Sequence, residues 1–99
     1  MYVGILTLDL LLGDVHSLKA KRSVVRSLVA QLRRHHPGVA VAETGHLDVH
    51  RRSEVGVAVV GSAAAHCLAV LEACERLAAA NPETELLSAR RRLVSEEEE

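Results

Sequence analysis

The chain has 99 residues, 48% hydrophobic and 25% charged, with a formal net charge of −1 at pH 7. Those figures describe one ordinary globular domain with a single core and no room for a second. They exclude a polycationic chain, and no apolar run approaches the roughly 18 residues that span a bilayer. The balance is uneven along the chain. Glu96 to Glu99 form an acidic run, and without it the twelve lysines and arginines outnumber the remaining acids. The body is therefore mildly basic, which permits a nucleic-acid partner without demanding one. Tyr2 is the single aromatic residue, so the core is built from Val, Leu, Ile and Ala.

The N-terminus lacks the basic region and cleavage site of a secretory signal. It opens instead on "YVGILTLDLLL" (2–12), a β-branched and apolar run stopped by Gly13-Asp14. Leu6, Leu8 and Leu10 share one face and Val3, Ile5 and Leu11 the other, the pattern of a central strand covered on both sides. From Ser17 to His36 the period turns helical, with Leu18, Val25, Leu28, Val29 and Leu32 on one stripe. Ser17 is the expected N-cap, and His36-Pro37-Gly38 stops the helix.

Two short β-branched runs follow, "VAVAET" (39–44) and "EVGVAVVG" (54–61), joined by "GHLDVHRR" (45–52) as a hairpin. Ser62 is the expected cap of a second helix running to about Ala80. Its apolar face carries Cys67, Val70, Leu71, Cys74, Leu77 and Ala78. The two cysteines are two helical turns apart, about 10 Å along the axis, too far for a disulfide. They read as small buried hydrophobes of a reducing compartment, the cytoplasm. Asn81-Pro82 ends this helix and "ETELLSARRRLV" (83–94) is the last strand. Residues 95–99 are expected to form an acidic, disordered tail outside a single domain of residues 1–94.

The order β-α-β-β-α-β predicts an α+β, ferredoxin-like fold, a four-stranded antiparallel sheet with two helices on one face. Val3, Ile5 and one side of 55–59 are left on the open face. An open apolar face in so small a domain marks a partner surface. The default partner is a second copy, through that face or an edge strand.

Three features carry possible chemistry. His46, Asp48 and His50 alternate, so on an extended strand they emerge on one side. Two imidazoles and a carboxylate suit a divalent ion, and this is the alternative reading, a small metal-binding protein or hydrolase. Same-face strand neighbours stand about 6.5–7 Å apart, however, so convergence needs a bend. The favoured reading is a polar hairpin with Asp48 paired to Arg51 or Arg52, and no metal or cofactor.

The second feature is "SLKAKRSVVRSL", which sets Lys19, Arg22, Arg26 and Arg33 along one flank of the first helix. With Arg51 and Arg52 these form the expected contact surface for RNA or an acidic partner. Lys21 instead falls on the apolar stripe. It needs a counter-charge from Asp9 or Glu43, and a structural ion pair with Asp9 is expected. The third feature is Arg90, Arg91 and Arg92, which alternate between the sheet faces. No aromatic occupies the central strands, so base-stacking recognition is disfavoured, and nothing indicates a DNA or membrane partner. No phosphate-binding glycine loop, nucleophile elbow or Cys-x-x-Cys motif is present, and no catalytic set assembles.

"SLKAKR" and "VAETGHLD", followed by "GVAVV", resemble the YlxP-like family of small bacterial proteins, over nearly the whole chain to about Leu93. The resemblance implies a ferredoxin-like fold, a cytoplasmic location and no established enzymatic activity. It also implies a link to RNA or a ribosomal subunit, since members are often encoded beside translation-initiation and ribosome-maturation genes. Lys19, Lys21 and Arg22 match its basic motif and Asp48 its acidic position. Position 50, commonly aromatic in that pattern, is His50 here, which weakens the metal reading.

Overall fold

The computed structural model describes residues 1–96. The elements run β1 (Tyr2–Leu12), α1 (Leu18–His35), β2 (Val39–Gly45), β3 (Arg52–Gly61), α2 (Ala64–Ala79) and β4 (Thr84–Ser95). The strands form one antiparallel sheet in the order β2-β3-β1-β4. This is the split βαβ arrangement of the ferredoxin-like fold, with β1 and β3 central.

Burial alternates along β1 as its side chains do. Leu6, Leu8, Leu10 and Leu12 are fully buried, while Val3, Ile5, Thr7, Asp9 and Leu11 are half-buried. On β3 the buried set is Val55, Val57 and Val59. Its open side is therefore Gly56, Ala58 and Val60. The core lies wholly between this leucine-valine face and the helices. α1 contributes Val25, Leu28 and Leu32, and α2 contributes Cys67, Leu71, Cys74 and Ala78. With no large rings to fill space, close approach matters. Gly4 faces α2, and a Cβ there would come within 2.9 Å of Leu71 Cδ1. Both cysteines are free and buried, and burial pushes the Cys74 thiol up.

Ser17 caps α1 as its sequence predicts, its Oγ accepting from Ala20 N–H at 3.0 Å. α2 differs. Ala63 is its N-cap and makes no side-chain cap bond, because Ser62 sits in the bend one residue too early. At the other end β4 extends through Ser95, which pairs with Tyr2, and Glu96 N–H donates to Met1 O at 2.9 Å. The sheet thus continues past the expected start of the acidic tail, and residues 97–99 lie outside the described residues.

Leu28 packs at the centre of the helix-sheet interface with none of its surface exposed. Leu28→Ala is expected to cost about 2–5 kcal/mol, read as a lower urea midpoint at unchanged slope.

Candidate functional site

The charged residues gather in two places, on either side of the edge strand β2. On the helix side, Arg22, Arg26 and Arg33 line a groove of about 330 Å³ between α1 and β2, floored by Val25, Val29 and Val41. Spacings of four and seven residues put them on one flank because α1 turns every 3.6 residues. Lys19 lies one turn earlier and is exposed. Arg33 is committed locally, since its Nη2 donates to Val41 O at 2.7 Å. Lys19, Arg22 and Arg26 make no ion pair among the described residues.

Lys21 enters the same interface from the apolar stripe and is wholly buried. Its Nζ sits 2.9 Å from Glu43 Oε2 and donates to His46 O. Glu43 Oε2 also accepts from Ser53 Oγ at 2.8 Å. The expected partner, Asp9, is therefore corrected to Glu43. Asp9 has odd parity on β1 and points to the open face, with the sheet between it and Lys21. Glu43 shares the helix-facing parity of Val39 and Val41, and a carboxylate on that apolar row was the available signal.

On the open side, Asp9 meets a different set. Ser88 Oγ donates to its Oδ2 at 3.1 Å, Arg52 Nη2 stands 3.9 Å away and His46 Nε2 4.0 Å away. Glu54, directly opposite Asp9 across the β1–β3 ladder, accepts from Thr44 Oγ1 at 2.6 Å and faces Arg90 at 3.7 Å. Beside them lies a shallow groove of about 510 Å³, lined by Ile5, Thr7, Ala40, Ala42, Gly56 and Ala58 among others.

The alternation of His46, Asp48 and His50 does not survive folding. A register shift between Glu43 and Gly45 ends β2, and His46 takes φ of 57°, the left-handed region. Val49 N–H then closes a turn on His46 O at 3.1 Å. The chain is not extended here, so the three side chains do not share a strand face. Among the described residues no three His, Cys, Asp or Glu side chains gather as a metal's ligands would. The paired arginines are placed differently too. Arg51 Nε donates to Leu12 O and Gly13 O at 3.1 and 3.0 Å, and Arg52 goes to Asp9. Neither takes Asp48. In β4, Arg90 and Arg92 emerge on the open face and Arg91 on the helix side, 3.7 Å from Glu72 and 3.4 Å from Glu75.

A family model described as a protein of unknown function, DUF503, matches residues 3–91. The chain belongs to the DUF503 family. None of the curated proteins compared matches it. Among solved structures, the de novo designed protein Foldit4 aligns with a TM-score of 0.56 at 12% identity, covering 98% of this chain and 100% of its own. A second designed protein, LFR1 1, described as having a ferredoxin fold, aligns with a TM-score of 0.46 at 11% identity, covering 97% and 87%. The likeness to Foldit4 is one of fold alone, so this DUF503 domain's chemistry has to be read from its own residues.

Glu43→Gln strips the carboxylate from a fully buried ammonium and is expected to cost about 3–5 kcal/mol. Lys21→Met leaves a carboxylate that still reaches solvent and should cost less, and Lys21→Met with Glu43→Gln less than the two single changes summed. Urea unfolding of the four proteins measures this cycle.

Proposed function

We propose that this DUF503 domain is a non-catalytic binding module that takes the phosphate backbone of single-stranded RNA along the flank of α1. The observation that carries this is the triplet Lys19, Arg22 and Arg26. All three are exposed, on one side of one helix, and without acidic partners among the described residues, while other arginines are spent on carbonyls or carboxylates. A row of uncommitted cations beside a groove matches an extended polyanion, and such contact needs neither aromatic rings nor base edges.

The likeness of "SLKAKR" and "VAETGHLD" to the YlxP-like pattern supports the same reading, because its members lie beside translation genes. Ribosomal RNA is accordingly the target we favour, and the cytoplasm the compartment. Two buried free thiols are compatible with a reducing surrounding. Among the described residues no helix is long and apolar enough to cross a membrane.

Anisotropy of a labelled single-stranded RNA across a salt series tests this. Three phosphate contacts predict a log–log salt slope of about −2. Arg22→Ala with Arg26→Ala should flatten the slope to about −0.7 and weaken binding to all sequences alike. The reading fails if the wild type shows no salt-sensitive binding at low ionic strength, or if the double variant leaves the slope unchanged. Co-sedimentation with ribosomal subunits that persists after nuclease treatment would mean an acidic protein surface instead.

A further inference from the structure

The two edges of the sheet are finished differently. At the β2 edge the chain closes itself. Val41 turns its carbonyl outward, where Arg33 takes it, and Val39 N–H donates to His36 O at 3.1 Å. Two of the outward backbone groups along that edge are thereby taken, which blunts it against another strand. The β4 edge is different. In an antiparallel ladder the N–H and C=O of one residue point to the same side, and successive residues alternate. Glu96 N–H reaches Met1 O, so Val94, Arg92 and Arg90 also turn toward β1, opposite Val3, Ile5 and Thr7. Ala89, Arg91 and Leu93 therefore turn their N–H and C=O out of the sheet. No partner meets these groups among the described residues.

The strand is also polarised. Glu83 stands just before it and Glu85 at its beginning, with Arg90, Arg91 and Arg92 toward its end. Arg90 and Arg91 are engaged with Glu54, Glu72 and Glu75. Glu85 and Arg92, both on the open face, have no ion-pair partner among the described residues. An antiparallel copy of the same strand supplies each with the charge it lacks.

We propose that two copies of this chain pair their β4 edges antiparallel about a two-fold axis at Ala89, joining their sheets into one. The register follows from charge and from the irregularity in β4. A pairing centred on Arg91 would set Arg90 against the partner's Arg92 and Arg91 against the partner's Arg91, which repels. Centring on Ala89 sets Ser88 against the partner's Arg90. The extra residue in β4, opposite Asp9 and Leu10 of β1, then brings Glu85 against the partner's Arg92, twice by symmetry. The contact is isologous and closed, as two-fold dimers are. It leaves the α1–β2 groove on the far edge, so it stands independently of the RNA reading.

Sedimentation velocity of the full chain, from low micromolar to hundreds of micromolar, tests the pairing. A reversible dimer is expected. Arg92→Glu replaces two attractive pairs by two repulsive ones and should weaken association at least about tenfold. Glu85→Arg combined with Arg92→Glu restores opposite charges and should recover most of that loss. Leu93→Pro removes an outward N–H and no bond to β1, so it should give a monomer with an unchanged far-UV spectrum. A wild type that stays monomeric overturns the proposal. So does a dimer indifferent to Arg92→Glu and Leu93→Pro, or a charge swap that recovers nothing. A dimer lost only on Ile5→Glu would place the contact on the open sheet face and equally overturn it.

Discussion

One buried ammonium ties the connection between β2 and β3 to the rest of the molecule. Lys21 sits in the first turn of α1 with no exposed surface, and its Nζ reaches Glu43 on β2 and the carbonyl of His46 beyond it. Glu43 carries the link to Ser53 on β3. Alone in an apolar interface this charge would be prohibitively unfavourable. A carboxylate and a carbonyl together offset that cost, and they do so in one arrangement of helix against strand. The net contribution of such a pair is small beside the cost of removing one partner from it. The pair also holds His46 in a left-handed conformation that a non-glycine residue rarely keeps unaided. That backbone reversal sends the imidazole to the other side of the sheet, beside Asp9.

Such a frame sorts the remaining cations into those with structural work and those without. Arg33 and Arg51 are used on backbone carbonyls, the first along the β2 edge and the second at the end of β1. Arg52, Arg76, Arg90 and Arg91 face carboxylates, all at 3.4–3.9 Å and all at solvent-accessible positions, where each contributes little to stability. Lys19, Arg22, Arg26, Arg34 and Arg92 are left over. Three of these lie together on the α1 flank, and the proposed contact with a polyanion rests on that segregation rather than on a high net charge. A net charge of −1 over the whole chain conceals it.

Much of the fold is legible in the residue pattern, and for definite reasons. The change from period two in 2–12 to period 3.6 after Ser17, the stop at Pro37-Gly38 and the repeat of that alternation are local signals, set by how side chains project from each backbone. The arginine flank of α1 is legible on the same grounds. The ion pair is only half legible. Lys21 on an apolar stripe announces a buried charge, but Asp9 and Glu43 compete as its partner until strand parity is anchored to a helix. The alternating His46, Asp48 and His50 mislead because the irregularity at the end of β2 breaks the period. No nearby residue type signals it, since Gly45 also suits an ordinary turn.

By itself the sequence determined the element order, the leucine-valine core face and the row of cations on α1, because each follows from spacing within a single element. Tertiary structure alone decided which carboxylate meets Lys21, that Arg33 seals the β2 edge, and that β4 leaves outward backbone groups bare. Those depend on residues far apart in the chain being brought within bonding distance, as Glu96 at the end of β4 is to Met1 beside β1, and no local period encodes such a meeting. The turn at His46 belongs to the same class. Its unusual backbone is held by a lysine on another element, so a hairpin that spells out a row of ligands becomes the place where the helix layer grips the edge of the sheet.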